Sequence, residues 1–311
     1  MMPVHDTALL LEGGGMRAAY TAGIVDVLMS HGVEFGWAGG ISAGASHLIS
    51  YLTGERDRIR RNFVDFVLEP EFGGWTWLLR GKGYFNAEYI YGRAPGLDLP
   101  RPYEISRALT SPTQFRIGAT NAETGEGVYW GRDDIASGED LMVRVRASST
   151  IPLAMPVPRI GGVPYVDGAF GASGGIPLDA AEADGFDRFF AVLSHPRDYV
   201  KPPTSKHRLT RTVLRKYPAV AEAMITRPER YNATMERLYD LERQGRAFLV
   251  FPEDVDQLVS STERDIRVLR RSLSYGTAQA LRQWPMWEQF LRESAGAAGD
   301  SAGAGAAVTG A

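Results

Sequence analysis

The chain has 311 residues, 44% of them hydrophobic and 23% charged, with a formal net charge of -3. That balance supports a sizeable core under a solvated surface and excludes disorder as the main state. The complete lack of cysteine removes disulfide scaffolds, thiolate metal sites and cysteine nucleophiles, and the near-neutral charge argues against nucleic acid as the main partner.

The first element is an apolar run at residues 7–12, closed by Gly13-Gly14-Gly15, after which residues 16–30 carry helical spacing through Ala19, Ala22, Ile24, Val27 and Leu28. A second unit repeats the layout. Residues 35–41 form a strand that ends in Gly40-Ile41-Ser42-Ala43-Gly44, and the small and apolar residues 45–52 suit a buried helix. Two strand-turn-helix units in the first 55 residues predict a mainly parallel central sheet covered by helices on both faces, a three-layer α/β/α architecture.

Further strands are expected at residues 115–120, 127–130, 165–167, 189–193 and 247–251, with the turn Glu123-Thr124-Gly125-Glu126 between the first two. Residues 141–147 read as the lead-in to the Pro-punctuated stretch 148–156. Helical regions are expected at about 205–246 and 262–292. Because strands occur on both sides of the 205–246 stretch, one continuous domain over 5–292 is preferred to two, with a motif-bearing core at about 7–190 and a mainly helical extension at about 195–292. The Ala/Gly-rich tail, 295–311, has too little apolar surface to offset its ordering entropy and is expected to be disordered.

Three constellations carry chemistry. Gly40-Ile41-Ser42-Ala43-Gly44 fits G-x-S-x-G between a strand and a helix, where the glycines permit a sharp turn that exposes a serine hydroxyl above a helix N-terminus. Gly13-Gly14-Gly15-Met16-Arg17 offers successive backbone amides at another helix start, the chemistry an oxyanion requires, and Arg17 would brace the loop or attract an anionic head group. Asp167-Gly168-Ala169 ends a short strand in a small-residue loop and supplies a carboxylate.

Two other readings compete. Gly13-x-Gly15-x-x-Ala18 satisfies a dinucleotide fingerprint with Glu34 as the ribose acid, but Glu34 begins its strand, whereas that acid belongs at the strand's end. The order Ser42, Asp167, His195 fits an α/β-hydrolase triad, yet that fold sets several strands before its serine and 41 residues allow only about two. A catalytically silent lipid- or nucleotide-binding protein is the remaining alternative.

The early Gly13-to-Arg17 segment, the Gly40-to-Gly44 turn, the Ser-Ser-x-x-Pro stretch from Ser148 to Pro152 and Asp167-Gly168-Ala169, in that order over about residues 7–180, resemble the bacterial patatin-like phospholipase family, lipid acyl hydrolases with a Ser-Asp dyad. The resemblance implies Ser42 as nucleophile, Asp167 as base, the amides of Gly13, Gly14 and Gly15 with Arg17 as the oxyanion site, Gly40 and Gly44 as the elbow glycines, and no metal or cofactor. The chain departs from the pattern at Ala18, where the family often has glycine. Residues 190–292 look similar to the helical C-terminal extension of one bacterial branch.

The partner implied is an acyl ester or phospholipid, not nucleic acid. Two segments suit peripheral contact with an anionic membrane: residues 72–85, five aromatics among glycines and cations, and residues 199–216, with Lys201, Lys206, Arg208, Arg211, Arg215 and Lys216 and no acid. No run of 18 apolar residues occurs and the start lacks the pattern of a leader, so a cytoplasmic location is expected.

Overall fold

In the computed structural model, which describes residues 1–73, 85–93 and 104–303, strand β1 (Met2–Leu11) sends alternate side chains to opposite faces of a sheet. Leu9 and Leu11 enter one core, Ala8 and Leu10 another. Strand β7 (Arg188–Val192) repeats the division, with Phe190 and Val192 on the first side and Phe189 and Ala191 on the second. Strands buried on both faces need helices on both faces, and this sheet has them.

Helices α1 (Ala18–Ser30), α2 (Ala43–Thr53), α3 (Arg56–Phe63) and the long C-terminal α8 (Ile266–Gly303) fill the first side. Helices α5 (Leu178–Ala183) and α7 (Pro218–Arg243) fill the second. Helix α6 (His207–Val213) has no fully buried residue.

The remaining strands are β2 (Val33–Ile41), β3 (Gln114–Asn121), β4 (Gly127–Trp130), β5 (Arg159–Ile160), β6 (Val163–Asp167) and β8 (Ala247–Val250). The sheet order is β5-β6-β3-β2-β1-β7-β8, with β4 also on β3. Strands β3, β2, β1, β7 and β8 run parallel; β4, β5 and β6 run antiparallel to their neighbours. This is the three-layer, mainly parallel α/β architecture expected, with helices following it. Strand β8 pairs with β7, so the chain beyond residue 195 returns to the same sheet.

Register fixes the position of the site. Gly118 pairs with Ile41 on one edge and Tyr129 on the other, and the next residue, Ala119, pairs with Asp167 and Val128. Because β4 occupies the same edge of β3 at both positions, β6 must take up the edge that β2 leaves. The ends of β2 and β6 therefore meet head to head, one carrying Ser42 and the other Asp167.

One expectation is corrected. Residues 141–147, read as a lead-in, belong to helix α4 (Gly138–Ser148), started by Ser137, whose hydroxyl accepts the Asp140 amide at 3.2 Å. Helix α8 runs to Gly303, into the Ala/Gly-rich stretch that begins at residue 295. Residues 304–311 lie outside the described residues. So do residues 74–84 of the aromatic segment; its ends, Phe72 and Phe85, meet edge to face at 5.7 Å. No helix among the described residues is long and apolar enough to cross a membrane.

Candidate active site

Ser42 sits between β2 and α2 with φ +56° and ψ -122°, a backbone conformation that non-glycine residues rarely adopt. The turn is tight enough that a side chain on Gly40 would overlap the Gly44 carbonyl, and one on Gly44 would overlap the Leu11 carbonyl. Small residues here let the start of α2 press against the end of β1. That contact brings the glycine loop to the serine: a Cβ on Gly13 would lie 3.0 Å from the Ser42 Cβ. The amide end of α2 begins directly after Ser42, so its partial positive charge faces the hydroxyl.

The strained turn is held by the end of helix α4. Ser148, fully buried at the end of α4, accepts the Ser42 amide at 2.8 Å and donates to the Gly118 carbonyl at 2.6 Å. Two residues later the Thr150 carbonyl accepts the Asp167 amide at 2.8 Å, and the Thr120 hydroxyl donates to the Asp167 carbonyl at 3.0 Å. With its main chain fixed on both sides, Asp167 has only its carboxyl left to act.

That carboxyl is buried, and burial raises its pKa above the ordinary 3.8. The Ala169 amide, bonded at 2.8 Å, pulls it back, as do the Arg227 charge and, most weakly, the Ser42 side chain. Ser42 and Asp167 line one cleft, close enough to influence each other but without a closed hydrogen bond of ordinary geometry. A hydroxyl and a carboxylate that work as a pair are commonly this loose in a free site. Phe63, Phe66, Phe72, Phe85, Ile90 and Met155 give the cleft an apolar wall.

Gly13, Gly14, Gly15 and Arg17 line the same cleft. The three amides differ in their surroundings: the Gly13 amide donates to the Gly175 carbonyl at 3.1 Å. Neither the Gly14 nor the Gly15 amide has an acceptor among the described residues. The loop is anchored from behind by Glu12, buried just before it, whose carboxyl accepts the Ser194 amide at 2.5 Å; burial raises the Glu12 pKa. It is anchored from the C-terminal part by Ser261, whose carbonyl accepts the Met16 amide at 3.0 Å.

The competing residues lie elsewhere. His195 stacks on Tyr199 with ring centroids 3.8 Å apart and is absent from the cleft wall; burial and then the Arg17, Lys201 and Arg227 charges lower its pKa to about 2. Glu34 pairs with Pro3 at the start of β2, the end of the sheet away from the glycine loop. In the basic stretch, Lys201 turns inward, its ammonium 4.5 Å from the Tyr231 ring centre, and Arg211 pairs with Glu222 at 2.5 Å. Lys206, Arg208, Arg215 and Lys216 remain exposed.

Sequence reasoning missed Glu12, Arg227 and the Ser261-Thr262 pair that also lines the cleft. Glu12 had a signal, a lone acid ending an apolar strand. Arg227 and Ser261 had none, being brought in from far along the chain, Arg227 by α7 and Ser261 by the turn that precedes α8.

Residues 9–182 match the family model described as Patatin-like phospholipase, and residues 217–292 match one described as Domain of unknown function (DUF6363). Uncharacterized protein YjjU of Escherichia coli (strain K12) is 25% identical over 215 residues, which are 66% of this chain and 56% of that protein. The chain thus spans little more than half the length of that relative. Among solved structures, VipD from Legionella pneumophila is similar with a TM-score of 0.42 and 13% identity, over 93% of this chain and 67% of that one.

Proposed function

The chain belongs to the patatin-like phospholipase family, and on that footing we propose that it hydrolyses lipid acyl esters with Ser42 as nucleophile, Asp167 as base and the Gly14 and Gly15 amides as oxyanion donors. The observation that carries this reading is the head-to-head meeting of β2 and β6 on one edge of β3, with both side chains in a single apolar cleft.

Ser42 Oγ attacks the ester carbonyl as its proton passes to Asp167, and the carbonyl oxygen takes on negative charge facing the glycine amides. The alcohol leaves with the proton from Asp167, and an acyl group remains on Ser42. Water then attacks the acyl carbon, gives its proton to Asp167 and releases the fatty acid, while Ser42 recovers its hydrogen. An ordinary carboxylate is a feeble base toward an alcohol; the upward push of burial on Asp167 acts in the needed direction. His195 takes no part.

The apolar wall suits an acyl chain, and the exposed cations Lys206, Arg208, Arg215 and Lys216 suit an anionic membrane surface from which a phospholipid would be drawn. Labelling with a fluorophosphonate followed by peptide mass spectrometry tests the nucleophile. An adduct on Ser42 that is lost in Asp167→Asn is expected; an adduct on another serine, or none, contradicts the assignment.

A further inference from the structure

Three consecutive residues at the end of α4, Ser148 to Thr150, divide between two tasks. Ser148 bonds the Ser42 amide and the Thr150 carbonyl bonds the Asp167 amide, so both are engaged in holding the nucleophile and the base. Ser149, between them, has neither task. It lines the cleft, it is only 8% exposed, and its hydroxyl makes no hydrogen bond of ordinary geometry to a described residue, the Tyr91 phenol being its polar neighbour. A buried hydroxyl without a partner is costly, and at a functional site such a group calls for a ligand or an ordered water.

Its polar neighbour is the Tyr91 phenol, carried by the π-helical turn Tyr89–Arg93, a form of backbone that recurs at functional sites. Tyr91 also lines the cleft, and burial raises its phenol pKa, opposed by the Ser149 side chain beside it and reinforced by the Asp167 charge. Ile90, Met155 and Phe170 give the nearby wall no polar atoms of their own to offer. Ser149, Tyr91 and Asp167 together supply the two to four polar partners that a held water needs.

From this juxtaposition we infer that Ser149 and Tyr91 seat the hydrolytic water beside Asp167, an assignment that rests on the acyl-enzyme reading above. The step is deacylation. The seated water's oxygen forms a bond to the acyl carbon of acyl-Ser42 and its proton goes to Asp167; the bond from that carbon to Ser42 Oγ then breaks, and the proton returns from Asp167 to Ser42. Both residues act as positioning groups, needed for water but not for the first attack by Ser42.

The test separates the two half-reactions with p-nitrophenyl butyrate, whose good leaving group makes acylation fast. In Ser149→Ala, a burst of about one p-nitrophenol per protein should precede a steady rate lowered about 10-fold or more. Intact-protein mass spectrometry should find butyryl-Ser42 accumulating. Tyr91→Phe should move in the same direction, Ser149→Thr should keep most of the turnover, and hydroxylamine, a stronger nucleophile than water, should restore the rate of Ser149→Ala. A steady rate like that of the parent, or burst and steady rates falling together with no acyl-enzyme, would overturn the water seat while leaving the hydrolase intact. A parent protein with neither turnover nor acylated Ser42 would take down the hydrolase reading and this inference with it.

Discussion

At Ser42 the backbone is bent to φ +56° and held there by Ser148. Conformations of this kind cost about 1–3 kcal/mol unless the residue is glycine. Ser42→Gly should therefore be more stable than Ser42→Ala by about 1 kcal/mol in chemical denaturation, although both lose activity. The neighbouring serines should differ sharply. Ser148→Ala leaves the Ser42 amide without its acceptor and should cost about 1–3 kcal/mol, whereas Ser149→Ala removes a hydroxyl that makes no ordinary hydrogen bond to a described residue and should leave the thermal midpoint unchanged or higher. The proposed base has a pH signature. With its folded pKa raised, Asp167 binds a proton more tightly in the folded chain than in the unfolded one, so ionising it lowers stability as pH rises through the folded value. Asp167→Asn should then be inactive but more stable than the parent at neutral pH, with the gain vanishing as pH falls below 3.8. In the parent, the acidic limb of kcat/KM should lie above the ordinary carboxylate range.

At the scale of elements, the contact between α1 and α8 ties the C-terminal region to the glycine-loop side of the sheet. A Cβ on Gly276 would overlap the Tyr20 carbonyl, and one on Gly23 would overlap the Thr277 amide, so the two helices approach backbone to backbone. Gly276→Val would drive them apart; a loss of about 1–3 kcal/mol is expected. The disturbance should also reach the chemistry, because the Ser261 carbonyl that bonds the Met16 amide lies on the segment leading into α8. A fall in kcat larger than the unfolded fraction explains would mark that route; unchanged kcat per folded molecule would exclude it. Helices whose start signals are polar proved harder to read than strands. The Ser137-Gly138-Glu139-Asp140 sequence that starts α4 is visible in the chain, but the alternating Val143-Arg144-Val145-Arg146 behind it imitates a strand.

Across the whole molecule, the sheet and the residues near its strand ends were readable because both follow local rules: apolar runs mark buried strands, and glycine turns mark strand-to-helix corners. Ser42 and Asp167 announce themselves in this way. What stayed hidden depends on distance along the chain. Gly13 has the same local chemistry as Gly14 and Gly15, and only the approach of Gly175 engages its amide. Arg227, on α7, bears on the Asp167 carboxyl although 60 residues separate them in sequence, and no spacing rule connects the two. His195 follows β7 in the right order for a triad, and its stacking on Tyr199 is likewise a tertiary fact. The most direct measurement is therefore turnover of a p-nitrophenyl acyl ester by three variants side by side. Ser42→Ala and Asp167→Asn should fall to background while His195→Ala retains activity; an inactive, folded His195→Ala alongside an active Asp167→Asn would contradict the account.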